Sequence, residues 1–213
     1  MKKERKERLS VGYVIVILAA YLLGCSNMAV YLAKLKNVDL TKGSGNPGTS
    51  NATILMGWNA GVIVGIHDIG KAALAVILAE LIFPDLKYVG AAAGVACILG
   101  HIFPFYMGFR GGKGFASYLG MTLALNWKFA LIILIIVGIV TVVTDYIVVG
   151  TVTTVVLVPV VMGILTQSAI LAIILCAATV VILYKHRENF VRLRNGTEIG
   201  LRSAAKGKHR VKQ

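Results

Sequence analysis

The chain reads as an all-α polytopic membrane protein with seven transmembrane helices, some of them short or broken. Three observations predict that class. Of 213 residues, 57% are hydrophobic and 15% charged, where a soluble domain carries about 25% charged residues. The charges are segregated: residues 129–144 and 146–184 contain none, and uncharged runs of that length are transmembrane candidates. The net charge of +13 comes from Lys and Arg gathered at the two termini and in short connections, as they are around membrane spans. That placement argues against a nucleic-acid partner.

The elements follow in order. Residues 1–8 hold five Lys/Arg ahead of an apolar run. No small-x-small cleavage site follows, so the run is read as a retained first span, Val11 to Ala33, and not as a signal peptide. A polar connection, Lys34 to Thr53, contains Gly43 to Asn51, rich in the Gly, Asn, Ser and Pro of tight turns. The second span, Ile54 to Phe83, is too long for one clean helix and holds His67, Asp68 and Lys71 near its middle. Pro84 to Lys87 turns the chain into a third span, Tyr88 to Tyr106. A glycine-rich loop leads to a fourth, Lys113 to Leu125, which is short for a bilayer. The fifth covers Phe129 to Val143, the sixth Ile147 to Leu165 and the seventh Ala169 to Tyr184. A basic tail closes the chain. The expected organisation is one membrane-embedded domain, 1–198, with a basic tail over 199–213.

Seven spans place the connections at 34–53, 107–113 and 144–146 on one face with the tail. That face carries fourteen of the 22 Lys/Arg and the other face seven, which makes the first face cytoplasmic by the positive-inside rule. The basic N-terminus pulls the other way. Cys25, Cys97 and Cys176 lie in apolar segments without metal-ligand spacing and read as small buried hydrophobes. No metal or cofactor is expected.

Three polar stretches carry the chemistry. In Gly100 to Gly114, Arg110 and Lys113 stand among glycines at 108, 111, 112 and 114. Such glycines let backbone amides approach a ligand, and a helix starting near Lys113 aims its free N–H groups at the same place. A phosphate suits that arrangement; the competing reading is a flexible loop whose cations snorkel to headgroups. Near the tail, His186, Asn189 and Leu193 share a helical stripe. They suit a hydroxyl or phosphate ligand, or else an amphipathic helix on anionic lipid. Asp68 and Lys71 are spaced to pair on one helical face, either as a neutralised pair or as one wall of a polar cavity.

These stretches resemble the signatures of the bacterial acyl-phosphate:glycerol-3-phosphate acyltransferases, the PlsY family. Gly-Ser-Gly-Asn-Pro-Gly at 43–48 comes with Asn51. Gly-His-x-x-Pro at 100–104 comes with Phe-Arg-Gly-Gly-Lys-Gly at 109–114. His-Arg-Glu-Asn at 186–189 comes with Arg192, Leu193 and Gly196. The resemblance implies a seven-helix enzyme of the bacterial inner membrane with a cytoplasm-facing active site. It implies transfer of an acyl group from acyl phosphate to the 1-hydroxyl of glycerol 3-phosphate, giving lysophosphatidic acid and phosphate, with a functional link to an acyl-phosphate-forming enzyme. Carried over by motif, His186 and Asn189 are the catalytic candidates. Ser44, Gly45, Asn46, Asn51, His101, Arg110, Gly111, Gly112, Lys113, Gly114, Arg187 and Arg192 are the phosphate- and substrate-binding candidates. No His-x-x-x-x-Asp motif of the other glycerolipid acyltransferases occurs. The resemblance instead suggests a substrate-assisted route in which the donor's phosphate helps deprotonate the hydroxyl.

The sequence departs from the pattern in places. Ile54 stands where the family has an Arg; Lys42, Arg110 and Lys71 are the cations that could compensate. Gly24-Cys25 stands for Gly-Ser. Val148 stands near a family serine, with Thr151 the nearest hydroxyl. The rival expectations are a transferase with a different acceptor and an anion transporter; against the latter, the chain halves show no internal repeat.

Overall fold

In a computed structural model, residues 2–205 are described; helices and turns account for the regular structure, and no strand occurs among these residues. The expected tail over 199–213 is therefore described only to residue 205; residues 206–213 lie outside the described residues. The chain divides into two compact units, with the boundary between Asn126 and Trp127.

In the first unit, α1 (Lys2–Cys25) and α2 (Met28–Lys36) share one apolar stretch, Leu9–Leu35. The first span is thus interrupted at Ser26-Asn27. Asn27 is extended, with φ −135°, and its Oδ1 accepts from Val30 N at 3.1 Å. This is an N-cap: it satisfies an amide that the first turn of α2 leaves unpaired.

The expected second span is two helices. α3 (Thr49–Met56) meets α4 (Trp58–Ile82) at Gly57, whose φ of +88° requires glycine. α3 folds back along α4 on a stripe of small residues. A Cβ on Gly61 would collide with Thr53 Oγ1, and one on Gly65 would lie 3.5 Å from Thr49 Cγ2. Glycines four apart present a groove that admits the threonines of the facing helix.

α5 (Val89–Ile102) is the centre of this unit. Twelve of its fourteen residues are buried, and it packs on α1, α4 and the following α6. Its composition explains the burial: Gly and Ala leave the surface nearly flat. A Cβ on Gly100 would strike the Tyr21 carbonyl, and one on Gly24 the Cys97 carbonyl, so α1 and α5 are in backbone contact at both points. A single 3-10 turn, Phe105–Met107, follows α5. α6 (Phe115–Leu125) has eleven residues. That is about 16 Å of helix, roughly half of a hydrocarbon core. α6 packs tightly on α4, where a Cβ on Gly120 would meet the Ile69 carbonyl.

The second unit contains α7 (Trp127–Thr144), α8 (Ile147–Leu165), α9 (Ala169–Lys185), α10 (Arg187–Arg194) and the short α11 (Leu201–Ala205). α10 is bent 49° from α9. Across the described residues, five helical segments are long and apolar enough to cross a membrane, or six if α9 and α10 form one broken span. α6 is the remaining apolar helix of the seven expected. α7 carries a continuous exposed apolar face, including Leu131, Ile132, Ile135, Ile139 and Val142, which suits lipid. Cys25 and Cys97 are buried as expected. Cys176 is exposed on α9, so its apolar neighbourhood is the membrane side and not the core.

α8 contains Pro159, which has no N–H for the carbonyl of Val155 four residues earlier. Thr179 of α9 supplies the missing donor: its Oγ1 gives a hydrogen bond to Val155 O at 2.7 Å. Inside lipid no water can take that carbonyl. Thr179→Val is expected to lower the stability of the detergent-solubilised protein by about 1–2 kcal/mol. Unfolding followed by circular dichroism checks this, and Pro159→Ala in the same background should recover most of the loss.

Candidate functional site

The glycine loop is strapped to the end of α5. Helix termini leave carbonyls without intrahelical donors, and here the amide of Gly111 donates to Ile102 O at 3.0 Å and that of Gly112 to His101 O at 3.1 Å. A Cβ on Gly111 would collide with His101 O, and one on Gly112 with His101 Nε2. The close approach anticipated for these glycines is therefore to the protein itself. Their amides close the end of α5, which leaves the amides at the start of α6 as the ligand-facing candidates. Gly114, at φ +88°, begins that helix without a side-chain cap. Ser117 in its first turn is wholly buried, and its Oγ has no hydrogen-bond partner. Arg110 is exposed and Lys113 half-buried on this loop.

Beneath the loop lies a buried polar cluster. Lys71 Nζ donates to Asp68 Oδ1 at 2.8 Å, to the Ser26 carbonyl at 2.7 Å and to His101 Nδ1 at 2.9 Å. Asp68 Oδ1 also lies 3.3 Å from His101 Nδ1 and 3.4 Å from His67 Nδ1. His67 Nε2 in turn lies 2.9 Å from Ser26 Oγ. Asp68, Lys71 and His101 are each at most 5% exposed. Lys71 is thereby committed, which removes it from the cations expected to compensate at Ile54. Lys42 and Arg110, both exposed, remain.

The first loop is organised by two asparagines. Asn51, fully buried on α3, accepts from Ser44 N at 2.8 Å. Its amide donates to Leu40 O at 3.0 Å and Lys42 O at 3.2 Å. Asn27 donates to Pro47 O at 3.1 Å. Ser44 and Gly45 are left exposed and Asn46 half-buried. Asp39 accepts from the Thr41 amide and hydroxyl, and these bonds hold its carboxyl below the usual carboxylate range. Asn27 was not anticipated as a loop anchor. Its signal was an Asn just ahead of an apolar helix.

In the second unit His186 is buried at the α9–α10 bend, and its Nδ1 donates to Ile182 O at 2.8 Å. Asn189 and Arg192 are brought together by Glu198. The Asn189 amide donates to Glu198 Oε1 at 2.6 Å, and Arg192 Nε to Oε2 at 2.7 Å. Glu198 follows its partners by nine and six residues across the positive-φ turn at Gly196, a separation that helical spacing does not reveal. Arg187 lies over the Tyr184 ring at 4.5 Å and is exposed. Thr151, considered as a substitute hydroxyl, donates to Ile147 O at 3.1 Å, and Val148 is buried. Asp145 instead holds the start of α11, accepting from Leu201 N and Arg202 N.

A multi-pass helical membrane protein with a cation-bearing glycine loop is a narrow class. A family profile described as glycerol-3-phosphate acyltransferase matches residues 14–196. The glycerol-3-phosphate acyltransferase of Lactiplantibacillus plantarum is 36% identical over 187 residues, spanning 87% of this chain and 90% of the relative. The fold matches the crystal structure of PlsY (YgiH), an integral membrane glycerol 3-phosphate acyltransferase, in two forms. The glycerol 3-phosphate form gives a TM-score of 0.85 at 30% identity, covering 91% of this chain and 98% of that one. The lysophosphatidic acid form gives 0.80 at 31%, covering 88% and 94%. The chain belongs to the glycerol-3-phosphate acyltransferase family.

Two outcomes follow from the side-chain partners. Asn51→Ala removes three hydrogen bonds and should speed proteolytic cleavage within residues 37–48 by about tenfold, the effect of roughly 1.4 kcal/mol. Glu198→Ala leaves Asn189 and Arg192 without their shared acceptor. Activity in a reconstituted assay should fall at least as far as it does in Arg192→Ala.

Proposed function

We propose that this protein transfers a fatty acyl group from acyl phosphate to the 1-hydroxyl of glycerol 3-phosphate, releasing lysophosphatidic acid and inorganic phosphate. The observation that carries the reading is the start of α6. Its uncapped amides and the neighbouring Lys113 and Arg110 offer donors and positive charge to a phosphate. Membership of the family supports the acceptor, and the two ligand forms of the similar crystal structures support the acceptor and product pair.

The hydroxyl oxygen attacks the acyl carbonyl carbon. The bond from that carbon to the phosphate oxygen breaks, and the electron pair leaves with phosphate. The hydroxyl proton passes to the departing phosphate, so no protein base is required. Acyl phosphate is already activated, and positioning with charge stabilisation carries the rate. In this reading Lys113 and Arg110 hold phosphate, and Ser44, Gly45 and Asn46 shape the first loop around substrate. His186 and Asn189 orient the acceptor and the attacked carbonyl, while Arg187 and Arg192 add positive charge. The phosphate-bearing substrates enter from the cytoplasm, where an acyl-phosphate-forming enzyme supplies the donor.

The test is phosphate release by the purified protein in lipid, given palmitoyl phosphate with and without glycerol 3-phosphate. Release should depend on the acceptor. Lys113→Ala should lower kcat/KM by about ten- to hundredfold, the worth of one charge-assisted hydrogen bond. A folded sample that binds palmitoyl phosphate but shows no acceptor-dependent release would remove glycerol 3-phosphate as acceptor and direct the search to other hydroxyl compounds.

A further inference from the structure

The Asp68–Lys71 pair is the most costly feature of the first unit. It is buried on α4 within an apolar segment, and ionisable groups there are retained for interior work. Every N–H of the Lys71 ammonium has an acceptor: Asp68 Oδ1, the Ser26 carbonyl and His101 Nδ1. An ammonium has no lone pair, so His101 Nδ1 accepts from it. The competing contact from Nδ1 to Asp68 Oδ1 is longer, 3.3 Å against 2.9 Å. The geometry therefore assigns the ring proton to Nε2. That is the edge on which Gly112 packs, so closely that no Cβ fits between them.

The chain of contacts is continuous. Asp68 orients Lys71, Lys71 holds the His101 ring, the ring backs Gly112, and the amides of Gly111 and Gly112 pair with the carbonyls of Ile102 and His101. Two residues after Gly112 the loop enters α6 at Gly114. We infer that Asp68, Lys71 and His101 are positioning residues for the phosphate-binding loop, acting through the His101 ring on Gly111 and Gly112. The inference deepens the functional reading above and rests on it for the identity of the ligand. It makes no contact between these three residues and substrate.

The cluster also differs from an ordinary buried ion pair. Replacing both charges of such a pair by uncharged groups of similar size is often tolerated. The variant Asp68→Leu/Lys71→Met should accordingly fold, with an unfolding temperature near that of the unmodified protein. It still lacks the donor that holds His101. A merely structural pair predicts that this folded double variant is normal in every other respect. A positioning chain predicts that it is not.

The experiment compares the unmodified protein with Lys71→Met, His101→Phe, the combination of these two, and Asp68→Leu/Lys71→Met, all in the same lipid. Hydrogen–deuterium exchange reads the loop directly through peptides covering 103–114, with α8 peptides as an internal reference. Exchange of the loop should rise at least tenfold in every variant, including the double variant that keeps its unfolding temperature. Because both side chains act through one ring, the combined Lys71→Met/His101→Phe should be no faster than His101→Phe alone. In the turnover assay, KM for one of the two phosphate-bearing substrates should rise at least fivefold, with kcat within threefold. Unchanged loop exchange in a folded variant overturns the inference, as does faster exchange with both KM values unchanged. If the unmodified protein shows no acceptor-dependent turnover, the functional reading fails by itself. The exchange comparison then still decides whether the three residues hold the loop.

Discussion

An ammonium group inside a membrane protein has to find three acceptors, because lipid offers none. Lys71 finds them on three different pieces of chain: a carboxylate on its own helix, the carbonyl exposed where α1 gives way to α2, and a ring at the end of α5. Satisfying one cation thus ties the break in the first span to the end of the central helix. The break itself depends on Asn27, which caps α2 and reaches Pro47 in the first loop. Much of the polar architecture of the first unit can be traced outward from one Nζ atom.

The apolar architecture rests on the absence of side chains. Gly24, Gly100 and Gly120 each stand where an added methyl would meet a carbonyl oxygen of the facing helix. In lipid, exclusion of water supplies little drive for helix association, and close backbone approach lets dispersion do the holding. α5 follows this rule so far that a central helix of the unit is made largely of Ala and Gly. In the second unit the balance differs. There, hydroxyls fill the gaps: those of Thr151, Thr153 and Thr154 return to carbonyls four residues back, and that of Thr179 crosses to the carbonyl Pro159 leaves bare.

The sequence revealed the membrane class, most apolar segments and the spacing of Asp68 and Lys71, because hydropathy and helical period are local properties. It did not reveal where those segments break. Ser26-Asn27 and Gly57 are single-turn interruptions inside runs whose hydropathy barely changes. It marked Gly111 and Gly112 as sites of close approach but could not say what approaches. His101 precedes them by ten and eleven residues, and only the folded loop brings its ring against Gly112. Glu198 was invisible for a related reason. Its partners are gathered by a turn at Gly196, and neither charge pattern nor periodicity encodes that turn. The candidates in the second unit were recognised through motif resemblance. Their immediate partners became visible only in the fold.

The separation of α1 from α5 along the chain has a bearing on biosynthesis. Sixty-three residues lie between Cys25 and Val89; at a ribosomal pace of roughly 5–20 residues per second, α1 waits about 3 to 13 seconds for its partner. The surface it will bury, including Val16, Ala20 and Gly24, is apolar and small, so lipid can cover it in the meantime. α4 faces a harder wait, since it carries a carboxylate and an ammonium into the bilayer before His101 has been made. Because the two lie three residues apart on the same helix, they can neutralise each other at the moment of insertion. The nascent chain therefore need not hold an isolated charge in the membrane while the rest of the unit is still inside the ribosome.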